Sequence, residues 1–435
     1  MDIDTIATIV LLGSFVLLIV IRIPIAFALL LSSVASALAY GQGLSTLVQQ
    51  MVKGIDNFTL LAIPFFIAMG EIMSEGRISH KIVDLANLLV GRFRGGLAYV
   101  NCIDSMFFGG ISGSAVSDVS SLGAIVIPLM KEQGYDEDFA VGLTVCTACQ
   151  GVLIPPSHNM VIYALAAGIG GSIPALLLGG FVPGVMLGLS LMTLSFFMAR
   201  KYNFPRCDPV PKGQRLKIVL NAILPMMIFV IIMGGVAAGI FTVTESAAIA
   251  CLYTFLLTYF VLRSAPFKSL GRVLKNTLKT LAIVLTLIAA AKSFAYMMTL
   301  LRIPDAMTAA LIAISQNKYV LLFIINALLL LLGCFMDMAP LILIMTPILL
   351  PVVTGPIINM DPVQFGIMLI FNLAVGLCTP PVGSALFVGC AIGKTPIERT
   401  AKKMLPMFAV MVVGLMLVTY IPVISMGLPN LILKE

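Results

Sequence analysis

Tryptophan is absent from this 435-residue chain, histidine occurs twice, and charged residues make up only 10% of it. Each shortage excludes something. So few charges cannot clothe a soluble domain, and the 60% of hydrophobic residues, with a mean hydropathy of +1.11, must face lipid or other helices. Two histidines cannot build a multi-haem path, and no G-x-x-x-x-G-K-[ST] loop occurs, so neither a haem enzyme nor a nucleotide enzyme is indicated. The eight cysteines lack the spacing of a secreted disulfide domain. Cys146 and Cys149 form a C-x-x-C within an apolar helix, without a βαβ setting, and read as small core residues. No disulfide, zinc site or cofactor is implied. Without tryptophan, tyrosine and phenylalanine are left to form any interfacial belt, and the 26 scattered methionines read as adaptable packing.

Lysine and arginine give a net charge of +7, but they form no basic patch with interleaved aromatics, and no nucleic-acid partner is expected. They stand instead at segment ends: Arg22; Arg77, Lys81, Arg92 and Arg94; 201 to 217; 263 to 279; and 394 to 403. The positive-inside rule makes these loops cytoplasmic and puts both ends of the sequence on the outer face. The first apolar segment begins with acidic residues and lacks an A-x-A site, so it reads as a retained helix and not a signal peptide. Spans of ~20 apolar residues are expected at 6 to 22, 23 to 40, 59 to 75, 174 to 198, 218 to 239, 243 to 262, 280 to 300 and 404 to 427. The stretches 200 to 217 and 263 to 279 read as aqueous, each too short for a core.

What the chain does have is a pattern written twice. Gly151-Val-Leu-Ile-Pro-Pro156 and Gly376-Leu-Cys-Thr-Pro-Pro381 lie 225 residues apart in apolar stretches. Two successive prolines remove helical donors and free carbonyls of the preceding turn, so each marks a broken helix: about 139–168 and about 363–393. Upstream of each, an apolar run is interrupted by polar residues, at Ile-Ser-Gly-Ser (111 to 114) and at Met336-Asp-Met-Ala-Pro340. Ser112 stands as far before Gly151 as Asp337 stands before Gly376. These runs read as re-entrant hairpins, about 95–132 and about 319–354, entering from opposite faces. The fold expected is an all-α polytopic membrane protein built as an inverted repeat, 1–215 and 216–435, with two re-entrant helical hairpins and two broken helices. Irregular backbone at membrane depth survives only where protein or a water-filled cavity satisfies it, so the paired breaks point to a solute carrier. Unwound carbonyls suit a small hard cation such as Na⁺, and half-helix N-termini suit a carboxylate.

These residues carry a family resemblance. GGISGSAVSD (109 to 118), Gly151-Val-Leu-Ile-Pro-Pro-Ser157, Gly376-Leu-Cys-Thr-Pro-Pro-Val-Gly383, Pro64-Phe-Phe-Ile-Ala-Met-Gly-Glu71 and Thr242-Val-Thr-Glu-Ser246 resemble the signature stretches of the large membrane subunit of TRAP (tripartite ATP-independent periplasmic) transporters. The resemblance implies an elevator-type ion-transporter fold in the bacterial inner membrane, with sodium ions as coupling ions. It implies as partners a small four-span membrane subunit and a periplasmic solute-binding protein that delivers a small carboxylate: a C4-dicarboxylate, sialic acid, or a sugar or keto acid. Carried over residue by residue, one Na⁺ site uses Ser112, Ser114, Gly151, Leu153 and Pro156, and the other Gly333, Gly376, Thr379 and Val382. The solute is expected near Ser114, Ser157, His158, Asn159, Asp337 and Ser384. A binding-protein-independent ion-coupled carboxylate symporter of a related fold is the alternative.

Plainer readings stand beside these. The hairpin serines also fit small helix-packing residues, His158 fits a core imidazole as well as a solute ligand, and Asp337 fits an exposed loop tip as well as an ion or substrate contact. Lys292 and Glu245 are expected to pair across the membrane helices, with a substrate carboxylate as the other partner for Lys292. Asp104 and Asp118 are expected to fix the helices of the first hairpin.

Overall fold

The computed structural model describes residues 2–206 and 211–433. Part of the 200 to 217 stretch, and Met1 and the last two residues whose side of the membrane the charges assign, lie outside these. The described residues form helices and no strand. Seven helices are long and apolar enough to cross a bilayer, and an eighth if Glu137–Leu153 and His158–Ala167, bent by 51°, count as one span.

One group of helices packs around Leu270–Leu300. It holds Ile3–Val20, Ile25–Tyr40, the amphipathic Leu44–Ile55, Ala62–Glu75 and, through the last of these, Val243–Leu256 and Lys212–Ala237. Small polar residues bring these helices close: the Ser36 hydroxyl donates to the Ala7 carbonyl (2.8 Å) and that of Ser293 to Leu47 (3.0 Å). The expected span at 23 to 40 is a 16-residue helix, because Pro24 ends the preceding connection and Gly41, at φ 83°, stops it. The 263 to 279 stretch is largely helical, since the long helix starts at Leu270 and keeps Arg272, Lys275 and Lys279 on its exposed side. The last expected span ends at Tyr420, and a separate helix follows at Pro422–Ile432.

The expected pairing of Lys292 with Glu245 does not occur. Glu245 is the third residue of a helix whose N-cap is Thr242; it accepts from the Thr242 N–H (2.8 Å), while its own N–H donates to the Thr242 hydroxyl (3.2 Å). This T-x-x-E box holds the carboxylate locally. Lys292 instead lays its stem on Gly54, where a methyl group would sit 2.6 Å from the lysine Cγ.

The second group contains both interrupted segments. Gly96–Ser112 turns at Gly113 (φ 62°) into Ala115–Ser121 and Gly123–Glu132; Lys318–Gly333 turns into Met338–Thr354. Each is followed by its broken helix: Glu137–Ala148 with Gln150–Leu153, then His158–Ala167; and Pro362–Gly376, then Ser384–Gly393. The two halves interlock. His158–Ala167 packs on Met338–Thr354, and Ser384–Gly393 packs on Ala115–Ser121 and Glu137–Ala148. Gly389 and Gly393 permit this, because Cβ atoms there would strike Val145 and Val141 at 2.5 and 2.2 Å.

Candidate functional site

Proline pairs break both helices, but glycine contacts place the hairpins on the breaks. A methyl group on Gly151 would lie 2.3 Å from the Gly109 Cα, and one on Gly109 would lie 2.2 Å from the Gly151 Cα. In the second half a methyl group on Gly376 would lie 2.8 Å from the Gly333 Cα. Backbone therefore meets backbone at both sites, which only glycine permits.

At the first site Ser112 and Ser114 lie in the hairpin turn, and Gly151 and Pro156 lie on the break that packs against it. The Pro156 carbonyl faces the turn at Gly113, 2.9 Å from where a Cβ would stand. Ser112 donates its hydroxyl to Asp118 Oδ1 and receives the Ser114 N–H at 3.2 Å. Ser114 caps the next helix, receiving the Ser117 N–H at 3.4 Å. Asp118 thus fixes the hairpin, as expected, but its Oδ2 is buried without a partner among the described residues and lies at the glycine contact, 2.5 Å from a Cβ on Gly151. Asp104 is also fully buried, and neither of its oxygens has a partner among the described residues, so it does not fix the helices as expected. The Leu153 carbonyl lies against Gly180 of Ile173–Lys201.

At the second site the hairpin tip and the break are joined by a hydrogen bond from the Val382 N–H to the Cys334 carbonyl (3.0 Å). The Thr379 hydroxyl bonds back to Val375 (2.8 Å), and the Thr379 and Leu377 carbonyls crowd the space that a side chain on Gly383 would need. This site is the more open one: Asp337 is exposed, as its plainer reading had it, and Val382 is 45% exposed.

The proposed solute residues fall into two groups. Ser157, His158 and Asn159 begin the second half of the first broken helix; Asn159 donates to the Gly113 carbonyl (3.4 Å), and the buried Ser157 hydroxyl has no partner among the described residues. Ser384 begins the corresponding half-helix and donates to Asp337 (3.5 Å). No described hydrogen bond joins the groups. The helices before the breaks meet where Cys149 and Cys378 lie 2.8 Å apart and Cys149 reaches the Ala374 carbonyl at 3.0 Å.

Sequence reading missed two features. Gly109 was one glycine among several. The second is a pair of buried amide ties. Asn101 donates to Thr144 (2.7 Å) and accepts from Thr147 (3.2 Å); Asn372 donates to Asn326 Oδ1 (2.9 Å), and Asn326 donates to Thr419 (3.2 Å). Asn101 and Thr147 correspond to Asn326 and Asn372 at the same 225-residue offset as the proline pairs, which was the available signal.

Two interlocked sets of hairpin and broken helix, inside an apolar multi-pass chain, define a membrane transport protein. The chain belongs to the family of the tripartite ATP-independent periplasmic transporter, DctM component, whose model matches residues 12–424. It is 41% identical over 97% of both chains to the uncharacterized protein YgiK of Salmonella typhimurium. It is 36% identical to the sialic acid TRAP transporter large permease protein SiaM of Vibrio cholerae, covering 94% of this chain and 95% of that one. It is also 37% identical over 96% of its length to the isethionate TRAP transporter permease protein DctMQ of Oleidesulfovibrio alaskensis, covering 65% of that longer protein. Among solved structures, the YdaH transporter of Alcanivorax borkumensis, described as having an unusual topology, aligns with a TM-score of 0.63 at 16% identity, over 89% of this chain and 90% of that one. The chain is therefore a large permease of the bacterial inner membrane and not an enzyme. In a tripartite family it is one component of three.

Proposed function

We propose that this permease takes up an organic anion by Na⁺-coupled secondary transport, the ions binding where each hairpin tip meets its helix break. The observation that carries this reading is the paired backbone contact, Gly109 with Gly151 and Gly333 with Gly376. Helix ends laid open by proline, pressed against a hairpin tip, leave carbonyl oxygens that a dehydrated Na⁺ satisfies. At the first site Ser112, Ser114, Gly151 and Pro156 would surround the ion, and Asp118 Oδ2, buried and without a partner among the described residues, supplies negative charge beside it. At the second, Gly333, Gly376, Thr379 and Val382 do so with backbone groups.

The anion then lies between the tips, with Ser157, His158 and Asn159 on one side and Ser384 on the other, where half-helix N-termini offer N–H groups. Asp337 serves the solute only by accepting from its hydroxyls, since a carboxylate repels a carboxylate. Sialic acid, C4-dicarboxylates and sugar or keto acids all present a carboxylate to these groups. The hairpin-bearing helices act as the moving part of an elevator against the group around Leu270–Leu300, within two inverted repeats, 1–215 and 216–435. A small four-span membrane subunit steadies the latter group, and a periplasmic binding protein delivers the solute.

Uptake into proteoliposomes containing this chain, its small subunit and the loaded binding protein tests the proposal. Uptake should require an inward Na⁺ gradient and no ATP. Equal uptake with K⁺ in place of Na⁺ on both sides would refute the coupling, and full uptake of free solute without the binding protein would identify a self-sufficient symporter.

A further inference from the structure

We propose that the cleft between Ile173–Lys201 and the residues around Val90–Arg94 is a binding site for an anionic phospholipid of the cytoplasmic leaflet. The cleft has a volume of about 650 Å³, and Arg94, Arg200 and Arg206 all line it. Among the described residues none of these three has a carboxylate partner. Arg94 is bonded to the neutral amide of Asn203, and Arg200 lies over the Phe196 ring at 4.2 Å. Its rim is held in shape, because the Gly95 N–H donates to the Pro205 carbonyl at 2.9 Å and thereby ties the two arginine-bearing segments together.

The wall below the arginines is apolar. Leu189, Met192, Thr193 and Phe196 recur at helical spacing on one face of Ile173–Lys201, leading to Arg200. Leu189 is 53% exposed and Phe196 40%. From Leu189 to Arg200 the helix rises ~16 Å, close to the ~15 Å of one leaflet's hydrocarbon. An acyl chain laid along this stripe therefore ends where its phosphate meets the arginines. The groove continues past Leu189 along Met186 and Val182, so it does not close on the chain. Clustered arginines on the cytoplasmic side identify the leaflet, which in bacteria as elsewhere carries the anionic headgroups these residues attract. A free phosphate would use the rim but leave the apolar wall without a purpose.

The test uses the delipidated permease complex, purified in detergent and titrated with phosphatidylglycerol, with phosphatidylcholine of the same acyl chains, and with inorganic phosphate, binding being read by native mass spectrometry. The wild-type complex should retain phosphatidylglycerol about tenfold more tightly than phosphatidylcholine. Replacing Arg94, Arg200 and Arg206 together by Gln should remove that preference, whereas Lys268→Gln with Lys275→Gln, on another helix, should not. Thr193→Trp keeps every charge and fills the groove, and should weaken both lipids; it decides the matter if the arginine variant does not fold. Four results would overturn the proposal: no preference in the wild type, an equal loss in the lysine control, full competition by inorganic phosphate, or binding to the isolated chain that the small subunit abolishes, which would make the groove a subunit contact.

Discussion

Cys149 and Cys378 touch thiol to thiol, 2.8 Å apart, at the crossing of the two broken helices. Cys149 lies just before Gly151 and Cys378 just after Gly376, so this contact fixes the separation of the two helix breaks. Each thiol also faces the backbone of the other half, Cys149 at Ala374 and Cys378 at Val145. The two broken helices therefore share one junction.

The glycine contacts set a ranking. Gly151→Ala and Gly109→Ala should each lower thermal stability by roughly 1–3 kcal/mol, the usual cost of overpacking, and reduce uptake severely. Gly333→Ala should do less, because its added methyl meets the Gly376 Cα at 3.2 Å, against 2.3 Å at Gly151. Thermal unfolding and initial uptake rates of the three variants check the order, and equal effects would contradict the backbone packing described.

Removing a buried amide leaves its partners unsatisfied. Asn101→Ala and Asn326→Ala should each cost about 1–3 kcal/mol, read as a lower unfolding temperature with the solute KM little changed. Asn326→Ala combined with Asn372→Ala should cost less than the two single changes added together, because both remove the same side-chain hydrogen bond between them. Strict additivity would show that the tie contributes nothing.

Asp337 separates ion binding from solute binding. Asp337→Asn should raise the apparent KM for solute and leave the Na⁺ dependence of uptake unchanged, since the exposed carboxylate faces Ser384 and not the Gly333–Gly376 contact. A shifted Na⁺ dependence would transfer it to the ion site, and unaltered kinetics in both Asp337→Asn and Asn159→Ala would place the solute elsewhere.

The proposed inverted repeat makes a topological prediction. In a cysteine-free background that still transports, Glu132→Cys should react with an impermeant maleimide only from the cytoplasmic side, and Pro356→Cys only from the outer side. Labelling of both from one side is incompatible with an inverted repeat.

The hairpins and breaks were legible because proline and glycine change the backbone itself, and a change at a fixed offset survives any packing. Over the stretches read as hairpins, about 95–132 and 319–354, helices run from Gly96 to Glu132 and from Lys318 to Thr354. Side-chain pairing was less legible. Glu245 was assigned to Lys292 on charge alone, although its nearer partner stood three residues earlier in a T-x-x-E box. The direction of a single carbonyl, such as that of Leu153 against Gly180, depends on a neighbouring helix and leaves no mark in the local sequence. Nor did Asp104 betray that it would be buried without a partner among the described residues.

Direct Na⁺ binding to the purified chain, followed by isothermal titration in K⁺ buffer, tests the central claim at its two sites. The wild type should bind Na⁺ at both breaks, and Gly151→Val and Gly376→Val, in variants shown to be folded, should each lose part of that binding. Na⁺ binding that persists unchanged in both variants, or none in the wild type, would contradict ion sites at the hairpin tips.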